Sequence, residues 1–340
     1  MEGIFMTSFE IVKKVIKRQN PPRLPVRMGS LGSDDTAGIP LQAPEGWKPE
    51  QPGMDEWGCV WEHTSVPNMG QVKGHPLEDI SKLDSHPVPD YNDDTRYANV
   101  PAALDRYEEQ GKYVLAGIFM VLFERMHTLH GFENVLMGLL LDRPAMEALA
   151  EHIVNVHLTY VHYIGKHFGN RLHAFQMSDD WGTQQAAFIS QKMWLDFFLP
   201  HYKKLFDAMH SYGYDVWVHS CGKVNEIIEG YIEAGVDVVN LQQPRALGIP
   251  EIGTRYRGRI TFESLADIQH TLPTDDKTLV ERDVEALMEH WADKQGGFVF
   301  SDYGDNRAIG VTNPDIKRFM YECFSRHSEK LYGEPLPTLK

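Results

Sequence analysis

Cysteine is scarce in this chain of 340 residues, which contains only Cys59, Cys221 and Cys323. An odd and scattered set of this kind argues against a disulfide framework and favours a reducing compartment. Long apolar runs are also missing, because the longest, residues 113–123, is too short to span a bilayer. The first residues have neither the apolar core nor the cleavage pattern of a signal peptide. We therefore expect a cytoplasmic protein without a membrane span.

Basic residues are outnumbered, since 33 lysines and arginines face 48 acidic residues and the formal net charge is −15. Nonspecific nucleic-acid binding depends on neutralising phosphates with Lys and Arg, so no nucleic-acid partner is expected. The glycine-rich dinucleotide fingerprint is also absent after the first predicted strand, which disfavours a Rossmann fold. A small molecule is the expected ligand.

From about Tyr113 onward, apolar runs of strand length alternate with amphipathic stretches. Six such runs occur in this part, and a seventh, "RLPVRMGS", lies near the start of the chain. The amphipathic stretches include residues 144–168, 190–211, 224–234 and 277–294. Apolar strands that alternate with helices indicate a parallel sheet buried on both faces. We predict an α/β protein with a (β/α)8 TIM-type barrel, although only seven strands are visible.

The first 110 residues lack this regularity. They are rich in Pro, Gly and Asp, as in "LQAPEGWKPEQPGMDEWG", and such residues interrupt regular elements. We therefore expect one barrel domain spanning residues 1–340, with residues 1–110 as an irregular N-terminal part packed on the barrel.

Catalytic groups of such barrels lie at the C-terminal ends of the strands and in the loops that follow. Five predicted strands end in polar side chains, and these would converge on one cavity. The candidates are Gln176, Asp179, Asp180, Trp181, His219, Cys221, Gln242, Gln243, Glu263, Asp302, Tyr303 and Asp305.

His219 and Cys221 lie two residues apart in "VWVHSCG", so they share one face of the strand. Imidazole nitrogen and thiolate sulfur are zinc ligands, and catalytic zinc combines three protein ligands with one open position. Two ligands do not make a site, and the pair can also be read as a small buried Cys beside a hydrogen-bonded core His. The position at a strand end favours the metal.

Asp179 and Asp180 are neighbours on a strand, so one of the two should enter the cavity. There it could act as a general base or hold the substrate. The alternative is a helix N-cap, a position that Asp often occupies. In contrast, four histidines at five-residue spacing, residues 152–167, point about 140° apart on one helix and cannot share a metal ion.

Several segments together resemble the uroporphyrinogen decarboxylase superfamily, among them "DEWGCVWE", "MGQVKGHPLEDISKLDSHPVPD", "HGFENVLMGLLLDRPAMEAL", "SDDWGTQ" and "VWVHSCGKVNEIIEGYIEAGVDVVNLQQ". The likeness extends from about Thr7 to Phe324. Within the superfamily the chain is most similar to the branch of cobamide-linked methyltransferases and decarboxylase-like proteins. The resemblance implies a (β/α)8 barrel with its cleft at the C-terminal ends of the strands.

Two stretches depart from the patterns of this superfamily. The true decarboxylases have an arginine-rich motif near the N-terminus that binds the carboxylates of the porphyrinogen, whereas this chain has "VRMGSLGSDD" with Arg27 alone. The methyltransferase branch resembles the chain at His219 and Cys221, which there bind zinc together with a cysteine from the last barrel strand. This chain has "FVFSDYGDN" at that strand, so Asp302 or Asp305 is the expected third ligand. The alternative is a site without metal, in which His219 acts as an acid or base.

The resemblance implies a methyltransferase that moves a methyl group between a small substrate and a corrinoid protein or a thiol. One zinc ion would act as a Lewis acid, and a partner protein would bring the cobamide. The expected catalytic residues are Asp180, Glu263 and Tyr303, and the expected substrate contacts are Gln176, Trp181, Gln242 and Arg125.

Other interpretations remain open. One is a cofactor-free decarboxylase, or a related lyase, in which Arg125 or Arg27 holds a small carboxylate and Asp180 stabilises a protonated intermediate. Another is a binding barrel that has lost catalysis. The amphipathic helices, with Trp291 and Tyr332, could form a homodimer face or could equally cover the barrel.

Overall fold

The structure, a computed structural model, describes residues 6–63 and 70–339. The strands are β1 (Val26–Met28), β2 (Ser33–Asp34), β3 (Thr36–Gly38), β4 (Val60–Glu62), β5 (Gln71–Gly74), β6 (Tyr113–Ile118), β7 (Ala174–Ser178), β8 (Asp215–His219), β9 (Val238–Asn240), β10 (Thr261–Ser264) and β11 (Phe298–Ser301). The α-helices are α1 (Ser8–Ile16), α2 (Val100–Glu109), α3 (Phe123–His130), α4 (Phe132–Leu141), α5 (Arg143–His167), α6 (Gln191–Met193), α7 (Leu199–Ser211), α8 (Ile228–Ala234), α9 (Pro244–Leu247), α10 (Ile249–Tyr256), α11 (Lys277–His290) and α12 (Asp315–Tyr332).

Eight strands form a parallel ring in the order β1, β11, β10, β9, β8, β7, β6 and β3. From β6 onward, each strand is followed by at least one helix. Parallel neighbours need such crossovers, and the helices cover the outer face of the sheet. The predicted (β/α)8 barrel is therefore confirmed. The division of the chain into domains stays a prediction.

The barrel strand that the sequence analysis missed is β3, in the segment "DDTAGIP", which lies in the N-terminal part that we expected to be irregular. It has three residues and no apolar run. It is a strand because it pairs in parallel with β6, with Thr36 opposite Tyr113 and Gly38 opposite Leu115. Tertiary pairing of this kind overrides a weak local preference.

The ring closes at Asp35, which lies between β2 and β3. Its N–H donates to the carbonyl of Val26 on β1 at 2.7 Å, and its carbonyl accepts from the N–H of Tyr113 on β6 at 3.0 Å. Its buried carboxylate accepts two hydrogen bonds of 2.7 Å from the Arg23 guanidinium and one of 2.8 Å from the N–H of Val26. A hydrogen-bonded ion pair therefore joins the two edges of the sheet.

The half of the barrel interior near the N-terminal ends of the strands is apolar. Its core combines residues from α1 with inward-facing strand residues, namely Val12, Val15, Ile16, Tyr113, Leu115, Ala174, Trp217, Val238 and Val299. Because the N-terminal end of the barrel is filled in this way, a small ligand can enter only from the C-terminal ends of the strands.

No helix of the described residues is long and apolar enough to cross a membrane. Trp291 is 1% exposed, stacks on Phe262 at 4.6 Å between ring centroids and donates to the carbonyl of Ile249. Of the two readings of this residue, the structure supports a role in covering the barrel, and the suggestion that Trp291 forms a dimer face is wrong.

Replacing Asp35 with Asn should weaken the closure of the ring. The buried Arg23 guanidinium would lose its counter-charge, so we expect the free energy of unfolding to fall by about 3–5 kcal/mol. The matched control is Glu281→Gln, which removes an exposed ion pair with Arg326 and should cost less than about 1 kcal/mol. Urea unfolding measures both variants, and equal effects would contradict the role of Asp35.

The histidines of α5 lie in different surroundings, and only His157 is fully buried. Burial, together with the nearby positive charge of Arg125, lowers the pKa of His157 to about 3. Unfolding restores a pKa of about 6.5. Below this value the unfolded chain therefore binds a proton that the folded chain does not.

Acid should consequently destabilise the protein through His157. The stabilisation from its neutral ring is complete above pH 6.5 and is lost as the pH falls towards 3, by up to about 1.4 kcal/mol per pH unit. As the pH falls from 6.5 to 5, the unfolding free energy of wild type should therefore decrease relative to that of His157→Leu. The exposed His162→Leu is the control, and a pH-independent difference for His157→Leu would refute the idea.

Candidate metal centre and cleft

Three potential metal ligands meet where β7 and β8 end. The Nε2 atom of His219 lies 3.2 Å from the Cys221 sulfur and 3.6 Å from the Oδ1 atom of Asp180. One donor atom from each of the three residues falls within 4.8 Å of the other two, and all three side chains are partly buried. Imidazole, thiolate and carboxylate together are a donor set that zinc accepts.

The orientation of the imidazole is set by Asn240 on β9. The Nδ1 atom of His219 lies 2.5 Å from the Oδ1 atom of Asn240, an oxygen that can only accept a hydrogen bond. A proton on Nδ1 completes this hydrogen bond and leaves the lone pair of Nε2 facing Cys221 and Asp180. Metal-binding histidines typically have such a partner on the second ring nitrogen.

The backbone after Cys221 is held tightly against the loop after β7. The N–H of Cys221 donates to Asp180 Oδ1 at 2.8 Å, and the N–H of Lys223 donates to the carbonyl of Thr183 at 2.7 Å. Gly222 has a φ of 81°, and a Cβ atom there would lie 2.2 Å from the carbonyl oxygen of Gly182. Only glycine satisfies both the left-handed conformation and the close approach.

Asp179 and Asp180 face opposite ways. The Asp179 carboxylate is buried and accepts from the N–H groups of Phe123 at 2.9 Å and Glu124 at 2.7 Å, the first two residues of α3. It also accepts from the hydroxyl of Tyr202. The Asp179 carboxylate thus caps the N-terminus of α3, whereas Asp180 belongs to the metal-ligand cluster.

Acidic groups are concentrated around this cluster. Burial raises the pKa of Cys221, and the charge of Asp180 raises it further. Glu124 is 8% exposed, and burial together with the charges of Asp180 and Asp179 raises its pKa to about 9. The sequence analysis did not select Glu124, because it lies on a helix rather than at a strand end.

A polar cavity of about 210 Å³ lies beside His219. Its lining residues are Arg27, Asp34, Gln176, His219, Asn240, Gln242, Glu263 and Asp302. Arg27 donates to both carboxylate oxygens of Glu263 at 2.8 and 2.9 Å and to Gln176 at 2.6 Å. The positive charge of Arg27 is therefore already paired within the cavity.

A second cavity of about 400 Å³ opens on the other side of His219. It is lined by Gly117, Ile118, Phe119, Gln176, Met177, Ser178 and His219. Gln176 and His219 belong to both cavities, so the two are lobes of one cleft. We call them the polar lobe and the apolar lobe.

Of the residues predicted to act on the substrate, Gln176, Gln242 and Glu263 line the polar lobe. Tyr303 is partly buried, and its pKa is raised by burial and by the nearby Cys221, Asp305 and Asp180. Tyr303 is therefore electrostatically linked to the metal-ligand cluster. The roles of these residues stay predictions.

Two predicted substrate contacts lie away from the lobes. Trp181 is fully buried and stacks on Phe123, with 4.2 Å between ring centroids. Arg125 is 4% exposed, pairs with Asp55 at 3.4 Å and lies over the ring of Trp57. Neither side chain lines a lobe, because each is taken up by packing between the elements around the barrel.

The carboxylate in the cluster is that of Asp180, and neither Asp302 nor Asp305 belongs to it. Asp302 forms a buried ion pair with Lys317 at 2.7 Å. Asp305 accepts from the N–H groups of Arg307 and Ala308 and so stabilises its own loop. The sequence could not separate these carboxylates, since all three follow a barrel strand.

Gly222→Ala should destabilise the loop that carries Cys221. The left-handed conformation costs about 1 kcal/mol, and the backbone clash with Gly182 adds to it, so a total loss above about 2 kcal/mol is expected. Gly258→Ala is the control, because Gly258 has a φ of 83° with open space around its Cβ position. If urea unfolding gives the same loss of unfolding free energy for both variants, the close approach of Gly222 to Gly182 adds nothing to the cost.

Comparison with known proteins gives one family match and several matches to solved structures. The family described as Uroporphyrinogen decarboxylase (URO-D) matches residues 66–301. A methyltransferase from Methanosarcina mazei superposes with a TM-score of 0.70 at 11% identity, covering 96% of this chain and 100% of that protein. A D-psicose 3-epimerase has a TM-score of 0.39 at 10% identity, covering 75% of this chain and 87% of its own. No curated protein sequence matches the chain. Since the family match includes more than half of the residues, the chain belongs to the uroporphyrinogen decarboxylase family.

Proposed function

We propose that the chain is a metal-dependent methyltransferase that moves a methyl group between a small substrate and a corrinoid protein or a thiol. The observation that carries the proposal is the cluster of His219, Cys221 and Asp180 donor atoms within 4.8 Å of one another. The similar fold of a protein named as a methyltransferase supports it.

The residues of the cluster fit a zinc ion. His219 presents an unprotonated Nε2 atom, because Asn240 holds the other ring nitrogen. The acidic groups of Cys221, Asp180 and Glu124 lie close together, and each disfavours ionisation of the others. A divalent cation would relieve this repulsion. A zinc ion bound there would act as a Lewis acid, either activating a thiol or polarising the heteroatom that carries the methyl group.

The polar lobe would orient the substrate. Gln176 and Gln242 offer amide groups to the cavity, and Arg27 keeps Glu263 paired and in place. Tyr303 is protonated near neutral pH, since its pKa lies above the ordinary tyrosine value, and its hydroxyl would donate to the substrate beside Cys221. Since the N-terminal end of the barrel is filled, substrate and corrinoid protein would both approach from the C-terminal ends of the strands.

Decarboxylation of a small carboxylate has less support from the geometry. It needs a cation that can hold the carboxylate, yet the Arg27 guanidinium is taken by Glu263 and Gln176. Arg125 is buried against Asp55. The polar lobe also contains Asp34, whose carboxylate would repel an anionic substrate.

Elemental mass spectrometry of protein purified without chelator tests the metal. We expect about one zinc per chain in wild type, a loss of at least tenfold in His219→Ala/Cys221→Ala and a clear reduction in Asp180→Asn. Asp305→Asn is the matched control and should keep its zinc, because Asp305 caps its own loop.

The opposite pattern would exclude this site. Wild type that takes up no metal even when zinc is supplied, or zinc retained in the double variant, would contradict the proposal. Loss of zinc in Asp305→Asn but not in Asp180→Asn would reassign the third ligand.

A further inference from the structure

Gly117 is an unexpected residue for its place in β6. Glycine weakens a strand interior and often marks close approach of a ligand. Gly117 does not have a positive φ, so its backbone conformation does not require glycine. A Cβ atom at this position would meet no heavy atom within 4 Å, so packing does not require glycine either.

What the missing side chain provides is space. Gly117 pairs in register with Gln176, and parallel partners face the same side of a sheet. Gln176, His219 and Glu263 all extend polar side chains into the cleft from neighbouring strands. On β6, Gly117 contributes no side chain to the cleft, and the apolar lobe of about 400 Å³ lies at this position.

Phe119 extends the same surface. It lies two residues beyond Gly117, is 51% exposed and faces the ring of Trp61 at 6.4 Å. Met120 follows with a φ of 58°, a strained value for this residue type. The N–H of Met120 donates to the Ser178 hydroxyl at 3.1 Å and so holds this conformation. Residues held in strained conformations of this kind cluster at active sites and ligand sites.

We propose that the apolar lobe binds an uncharged aromatic ring of the substrate, and that Gly117 determines the size of the group admitted. The ring would lie on the Gly117 backbone beside Phe119. An apolar cavity of about 150 Å³ is enough to hold benzene, so the lobe has room for a substituted ring. Arg27 in the polar lobe is already paired with Glu263, and the Asp34 carboxylate lies in the same lobe, so a ring that bears a carboxylate is disfavoured.

This inference rests on the proposed function only in one respect, namely that the ring would carry the reacting heteroatom towards His219, the residue shared by both lobes. Binding of the ring itself needs neither metal nor corrinoid protein. The two proposals can therefore fail separately.

Phenol and benzoate are suitable probes. Each probe is titrated with the full chain without metal, and binding is followed by the proton NMR signals of the probe itself. We expect saturable shifts with phenol, at least tenfold weaker binding in Gly117→Val and at least tenfold weaker binding of benzoate to wild type. Gly38→Val, another strand glycine with open space around its Cβ position, should change the phenol affinity less than twofold.

Phe119→Ala provides a second variant that does not threaten folding, because the ring is half exposed. It should weaken phenol binding severalfold through the loss of ring contact. Unchanged affinity in both Gly117→Val and Phe119→Ala, or no saturable binding to wild type, would overturn the proposal. Benzoate that binds as tightly as phenol would overturn the preference for an uncharged ring.

Discussion

The arrangement of the whole cleft depends on how the barrel closes at Asp35. One residue bridges β1 and β6 through its backbone, and its carboxylate holds the Arg23 guanidinium beside them. Closure joins β1 to β6, and β1 also pairs with β11, so Arg27 lies within reach of both Glu263 and Gln176, which come from distant parts of the chain. Without the ring, these three side chains would not share a cavity.

Alternation along the strands then separates structure from function. The inward positions near the N-terminal end carry apolar residues such as Leu115 and Trp217, which pack against α1. The inward positions near the C-terminal end carry His219, Asn240 and Glu263, which line the cleft. Every strand alternates in the same way, so polar groups converge at one end while the other end stabilises the barrel.

Physical chemistry also explains which parts of this arrangement were predictable. Apolar runs such as that of β8 identify buried strands locally, and the spacing of His219 and Cys221 places both on one face regardless of the rest of the fold. In contrast, β3 is a strand only through its partner β6, and Trp181 and Arg125 are buried by elements far away in sequence. No local pattern contains that information.

The sequence by itself therefore determined the barrel class, the strands with continuous apolar runs and the His219–Cys221 pair, because periodicity and alternation are local properties of the chain. Only the tertiary structure decided that Asp180 joins the pair while Asp302 turns to Lys317, and that Glu124 is buried among carboxylates. It alone revealed that Gly117 leaves one wall of the cleft bare. These outcomes depend on distances between residues that are remote in sequence, and such distances exist only once the ring has closed.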